Sequence, residues 1–462
     1  MRAGNAFIEV TPRFWAGVVG FTILGYLSMT RSFAYLGVRA LNVFIGEVVL
    51  GLFLLTRTRD ILGKWAGALT TKARLSQFSW SYYLFLGYGV AQLLRGIVAG
   101  YSPLTALQNL VFNVYPLYIF IGVWLGSLYP NYLGKFIRLL AWVNGVYGLL
   151  YLAVLDPLSG GASSAGDDQI ALFGQPAGSA LSILGLLCFE TRLRRASLPL
   201  LLNAFMMLAL MVRAEWLGFA IGFAIWGILS RKLGKMLIGA GAIIVLLGAG
   251  YLADFSMPAP SGRGGQISTR DVIGRGLSAI DPEVASGYSE SAAITAGTVE
   301  WRKTWWEAIW NSVHETDTGT LFGHGYGFPI ADLVTYLKNG NIRTPHNIFF
   351  FCLAHGGWIG VILFFAFQLT IFRLHWLTYK LTKQPFGMAY LAMCVSGACF
   401  GNFFETPFGA IPYYLITGLA IAPLQAKAEQ AYVSSRFKNY SHQQAHVYGL
   451  ELFHGATGRS AP

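Results

Sequence analysis

The residues best placed to do chemistry are His346, Arg302 and Arg213. His346 lies in T-P-H-N-I-F-F-F-C-L-A-H-G-G-W-I-G, Thr344 to Gly360, where a polar loop enters an apolar helix. With Thr344 as N-cap and Pro345 at the first helical position, His346 and Asn347 are expected in the opening turn, among unpaired backbone N–H groups. Such a turn is a ready anion site. The positive end of the helix dipole also disfavours a second proton on His346 and keeps the imidazole able to act as a base near neutral pH. The plainer reading is a helix start with an interfacial histidine. Gly356, Gly357 and Gly360 are expected to form a small-residue face that admits a close helix.

Arg302 lies in V-E-W-R-K-T-W-W-E-A-I-W-N-S-V, Val299 to Val313. A helical step puts Trp301, Trp305, Ala308, Ile309 and Val313 on one face and Lys303, Glu307 and Asn311 on the other. Arg302 falls on the apolar face, where a guanidinium keeps its charge and needs an anion. That anion is either a carboxylate such as Glu405 or Asp332, or a ligand phosphate, which suits the bidentate geometry of arginine. The tryptophans fit a helix lying at a membrane–water boundary. Arg213 sits in V-R-A-E-W between two apolar runs, with Glu215 as a local partner or a phosphate as the alternative. Arg39, Glu47 and Arg95 fall inside apolar spans, where they pair with one another or line a polar path.

Composition names the elements that must hold these groups. With 55% hydrophobic and 12% charged residues over 462, the chain has too little polar surface for a soluble globule. The net charge of +12 does not point to nucleic acid, because most basic residues lie in short loops between apolar runs. The cysteines Cys188, Cys352, Cys394 and Cys399 all fall in apolar runs, which argues against a disulfide framework or a metal site. The apolar runs are Phe14 to Met29, Phe33 to Leu55, Trp80 to Ala99, Leu104 to Leu128, Phe136 to Leu155, Ala177 to Phe189, Leu198 to Val212, Trp216 to Leu229, Met236 to Ala253, Asn347 to Phe372, Phe386 to Phe404 and Phe408 to Leu424. The expected fold is an all-α integral membrane protein of about twelve transmembrane helices.

Loop charge orients the spans. Starting from an inward N-terminus, every inward loop is basic and the short outward loops are nearly free of Lys and Arg, so His346 is expected on the outer side. Arg213 is an exception that asks for a reason. The organisation that follows is helices one to nine over 1–253, a large outward loop over 254–345, helices ten to twelve over 346–424, and a cytoplasmic tail over 425–462. The Gly/Ser-rich first part of the loop, 256–297, is expected to be mobile or to act as a lid, ahead of the amphipathic helix over 299–313.

His346 and Asn347, followed after nine residues by Gly357 and Gly360, resemble the H-N-x9-G-x-x-G signature of the O-antigen ligase family and its Wzy-type polymerase and O-linked oligosaccharyltransferase relatives. V-R-A-E-W at Arg213 and W-R-K-T-W-W-E-A-I-W followed by L-F-G-H-G-Y-G resemble the same superfamily, over roughly Gly174 to Leu424. The resemblance implies a metal-independent glycosyltransferase of the bacterial inner membrane with a periplasmic active site. Its donor would be a saccharide on undecaprenyl pyrophosphate and its acceptor a hydroxyl on lipid A-core, on another lipid-linked glycan or on a protein. In that chemistry His346 takes the proton of the attacking hydroxyl and Arg213 and Arg302 hold the pyrophosphate. Asn347 and Arg343 flank the base and orient it, bind sugar or phosphate, or cap the chain locally; His324 is a loop residue or a second base. No cofactor is expected. A lipid-oligosaccharide transporter and a scaffold for envelope-polysaccharide assembly proteins are the competing readings, although a transporter's charged groups belong near the membrane midplane.

Overall fold

The computed structural model describes residues 11–36, 43–70, 75–159, 173–190, 192–260, 266–277, 287–288, 290–334 and 344–427. Arg39, Arg343, 278–286 of the Gly-rich segment and 428–462 of the tail lie outside them. Among the described residues nine helices precede the large loop: α1 Pro12–Ala34, α2 Ile45–Thr70, α3 Leu75–Val98, α4 Pro103–Leu128, α5 Tyr132–Leu158, α6 Ser179–Phe189, α7 Leu193–Ala209, α8 Arg213–Leu229 and α9 Leu233–Leu252. The loop holds β1 Ser256–Pro258, β2 Gln266–Ser268, α10 Thr269–Leu277, α11 Glu290–His314 and α12 Asp317–Phe322. After it come α13 Ile348–Thr382, α14 Phe386–Ala398 and α15 Pro407–Lys427. Helix therefore covers at least part of every apolar run. Among the described residues α4, α5, α13 and α15 are long and apolar enough to cross a membrane, and the chain is a helical, multi-pass membrane protein.

Glycines set the closest packing. On α8, a side chain at Gly218 or Gly222 would press on the backbone carbonyls of Met393 and Ala389, so the absence of one lets α8 lie directly against α14. Gly122 on α4 and Gly418 on α15 face each other's backbones in the same way. Helix α13 is central: it packs on α3, α11, α12 and α14.

Several expectations are corrected. The second apolar run was read as one span from Phe33, but α1 continues past a break at Thr30, φ +42°, to Ala34, and α2 begins only at Ile45. The Glu47 carboxylate accepts from the backbone N–H of Phe44 at that start and from the Tyr115 hydroxyl at 2.9 Å. Glu47 and Arg95 do not pair. Arg95 instead donates to the carbonyls of Phe322 and Gly323 at 2.7 and 3.0 Å, tying the loop to the end of α3. The Gly-rich segment is not uniformly irregular: β1 and β2 pair antiparallel with Met257 opposite Ile267, and α10 follows directly.

Candidate active site

Helix α11 builds the site. Trp305, Ile309 and Val313 are fully buried and Lys303, Glu307 and Asn311 are exposed, the division that the helical step predicts. Trp301, Trp305 and Trp306 make protein contacts, whereas Trp310 is exposed. The Trp305 indole N–H donates to the Ile330 carbonyl at 3.0 Å, and that of Trp306 to the Pro345 carbonyl at 2.8 Å. Trp306 also stacks on Phe350 with ring centroids 5.3 Å apart, and Trp301 meets the His346 ring edge-on at 5.9 Å. Two successive turns of α11 thus grip the segment that carries His346.

His346 is not in a helical turn. Its φ is +52°, and the helix starts two residues later. The cap is Asn347, not Thr344: its backbone is extended and its side-chain oxygen accepts from the N–H groups of Phe349 and Phe350 at 2.9 and 3.4 Å. Asn347 satisfies its own helix end better than Thr344 could from three residues away. Two of the N–H groups expected to bind an anion, those of Phe349 and Phe350, are consequently occupied by the cap. Burial, reinforced by the neighbouring Arg302, pushes the His346 pKa down to about 4. The imidazole is neutral at pH 7 for that reason rather than through a helix dipole. Among the described residues, neither ring nitrogen of His346 has a hydrogen-bond partner.

Arg302 donates through Nη1 to the Phe400 carbonyl at 3.2 Å, and its guanidinium lies 5.5 Å from the Trp301 ring centre. Among the described residues it forms no ion pair, with Glu405, Asp332 or any other carboxylate. Its Nε is buried without a partner among them, and burial lowers its pKa. Arg213 opens α8 and feels the charge of both Arg302 and Arg275. The charge of Arg302 contributes to lowering the pKa of both Arg213 and His346.

A cavity of about 340 Å³ lies near this group, although Arg213, Arg302 and His346 are not among the residues that line it. Val212, Ala214 and Glu215 line it beside Arg213, and Gly401, Asn402 and Phe403 line it beside the carbonyl that holds Arg302. The volume is in the range of small-ligand sites. Glu405, weighed in the sequence only as a counter-ion, stands in the same turn with both carboxylate oxygens buried and without hydrogen-bond partners among the described residues. Burial pushes its pKa up to about 8, so that it is largely protonated at neutral pH. No sequence pattern marked it; only the turn between α14 and α15 puts it there. Among the described residues no three His, Cys, Asp or Glu side chains group as a metal site.

The remaining residues stand apart. His324 bonds Ser312 at 3.0 Å, eleven residues and about 16 Å along α11 from Trp301. The glycines admit close neighbours as expected: Gly357 breaks α13 at φ +58°, ψ −163°, and a side chain there would meet the backbone at the end of α12, at Leu321 and Phe322, and of Gly323. Gly356 and Gly360 face Tyr88 of α3.

Fold and site together define a helical membrane protein with a neutral, buried imidazole beside a buried arginine where the large loop meets the bundle. Residues 198–365, about a third of the chain, match the family model Wzy_C, O-antigen ligase, and this segment is similar to that family. The matched segment contains Arg213, Arg302 and His346. A search of curated proteins finds no match.

Proposed function

We propose that the protein transfers an oligo- or polysaccharide from undecaprenyl pyrophosphate to a glycan hydroxyl at the outer face of the bacterial inner membrane. In this reading helices α1 to α9 and α13 to α15 cross the bilayer from a cytoplasmic N-terminus, and 254–345 form a periplasmic loop. The acceptor hydroxyl attacks the anomeric carbon of the donor sugar from the face opposite the pyrophosphate. A new C–O bond forms with inversion as the bond to the pyrophosphate oxygen breaks, and the leaving group departs with the electron pair. His346 takes the hydroxyl proton. Arg213 and Arg302 stabilise the charge that grows on the pyrophosphate.

A histidine with a pKa near 4 is a weak base. A bound pyrophosphate changes that, because it offsets the Arg302 charge that helps to depress His346 and so raises its pKa toward the working range. The observation that carries the reading is the juxtaposition of an unbonded, neutral His346 with an Arg302 that no carboxylate of the described residues neutralises.

The test is the surface-glycan profile of the native host lacking the gene, complemented with wild type or with His346→Ala at matched membrane expression. Loss of long glycan and accumulation of lipid-linked donor are expected. Long chains on the carrier indicate a ligase, single repeat units a polymerase. A normal profile from His346→Ala refutes the base assignment and favours transport or scaffolding.

A further inference from the structure

Four tryptophans on α11 and α13 differ in what their indoles do. Those of Trp305, Trp306 and Trp358 donate their N–H to Ile330, Pro345 and His314, whereas the Trp310 indole is 41% exposed and makes no hydrogen bond among the described residues. Trp310 stacks on His314 with ring centroids 4.2 Å apart and meets Trp358 edge-on at 6.1 Å. Trp358 opens the long piece of α13 beyond the break. One turn further begins the row Ile362, Phe365, Leu369 and Phe372, all exposed and on the same helical face as Trp358. On a helix that crosses a membrane, such a row faces lipid. Eighteen residues beyond Trp358, about 27 Å along the helix, stands Trp376, with the Lys380 ammonium 5.4 Å from its ring centre. Two tryptophans about one hydrocarbon thickness apart, one of them beside a lysine, mark the two bilayer boundaries on α13.

Trp310 therefore stands at the boundary on the side of the large loop, and α12 joins it there. Leu321 and Phe322, at the end of α12, are exposed, as are the polar Asp317 and Thr318 at its start. Arg95 holds the Phe322 and Gly323 carbonyls and lies 5.7 Å from the Phe322 ring centre, at the end of α3 where Leu94, Ile97 and Val98 are exposed. We propose that this edge of the loop, Trp310 with Leu321 and Phe322, is seated in the headgroup–acyl boundary of the bilayer and binds lipid there. Its apolar surface continues the lipid-facing row of α13 through Trp358, and the Trp310 N–H serves a headgroup oxygen, the pairing of apolar body and polar tip that suits tryptophan to interfaces. Helix α11 thus meets lipid at its far end and not along its length. The inference uses the spanning of α13 and not the transfer reaction. The backbone of Leu321 and Phe322 also packs on Gly357, so the lipid-seated edge and the break in α13 form one unit.

The test places a nitroxide label, one introduced cysteine at a time, on the full-length protein in lipid nanodiscs, with wild type labelled in parallel to subtract the native cysteines. Ile362→Cys serves as the hydrocarbon reference and Glu307→Cys, on the exposed polar face of α11, as the water reference. Relative accessibility to oxygen and to a water-soluble nickel chelate reads the depth of each label. Labels at Trp310→Cys and Leu321→Cys are expected between the two references, with more oxygen access and less nickel access than at Glu307. A value equal to the water reference at either position overturns the proposal. Shielding that arises only when a soluble oligosaccharide is added overturns it too, and marks a glycan platform instead. Should Trp310→Cys fail to fold, Leu321→Cys decides alone: interfacial depth supports the proposal and the water value overturns it.

Discussion

Two histidine-bearing turns meet helices α11 and α13, and they are built on opposite principles. The turn at 323–327 is tied on all sides. The N–H groups of His324 and Gly325 donate to the carbonyls of Ala354 and His355 at 2.9 and 3.1 Å, and the Tyr326 N–H donates to Gln92 at 3.1 Å. The His324 ring bonds Ser312 and stacks on Phe328 with centroids 4.1 Å apart. The turn at 344–347 is held by its backbone, through Trp306 and Asn347, while the His346 ring is left with an aromatic edge and an arginine for company. Burial lowers the pKa of both histidines, so the shift does not separate them. Hydrogen-bond satisfaction does. One imidazole is bonded to the loop it holds; the other has no hydrogen-bond partner among the described residues, as the proposed base role requires.

The contrast is sharpest under substitution. His346→Ala is expected to reduce transfer about 10²–10⁴-fold, the usual range for a general base, with little change in thermal stability. His324→Ala should instead lower the unfolding temperature and affect turnover only in proportion. A reversal of those two outcomes, read by labelled-saccharide transfer and thermal unfolding of the purified variants, would break the distinction. Gly357→Ala should cost about 1–3 kcal/mol or more, because φ +58°, ψ −163° suits glycine alone and the added carbon meets unyielding backbone at 2.5 Å. Gly360→Ala, at 3.2 Å from the Cys352 carbonyl, should be milder. Asn347→Ala removes the cap of α13 and should cost about 1 kcal/mol, again read by thermal unfolding.

The smallest expected effect is on pH dependence. In the free enzyme His346 stays neutral down to about pH 4, so kcat/KM should hold from neutrality through the ordinary histidine range and fall only near that value. A lowered pKa retains the basic form at lower pH, and Arg302→Gln removes one cause of the lowering. The acid limb should therefore move upward in that variant. A limb that stays in place would separate Arg302 from the base.

The periodic parts of the fold were legible. The buried and exposed faces of α11 follow from a step of one helical residue, and helix lies on every apolar run because hydrophobic length is a local property. What escaped depends on distant partners or on backbone twist. Thr344 and Pro345 have the right types to start a helix, but Asn347 can bond two N–H groups itself and moves the start by three residues. Arg302 was recognisable as a charge on an apolar face; that its acceptor is a carbonyl at Phe400, far along the chain, was not. Arg95 and Glu47 looked like a pair because each is costly alone in an apolar span, yet each finds nearer polar groups at its own helix end. Glu405 and Arg275 carry no pattern, and tertiary packing alone buries them.

The break at Gly357 divides α13 into a short upper piece that begins at Ile348 and a long lower piece that ends at Thr382. A bilayer that thickens or thins changes the tilt of a crossing helix. In an unbroken rod that tilt would swing His346 through an arc. If the break at Gly357 flexes, the transfer proposed above should be insulated from bilayer thickness: rates measured in vesicles of graded acyl-chain length should stay level, and a steep dependence would show that the break is rigid.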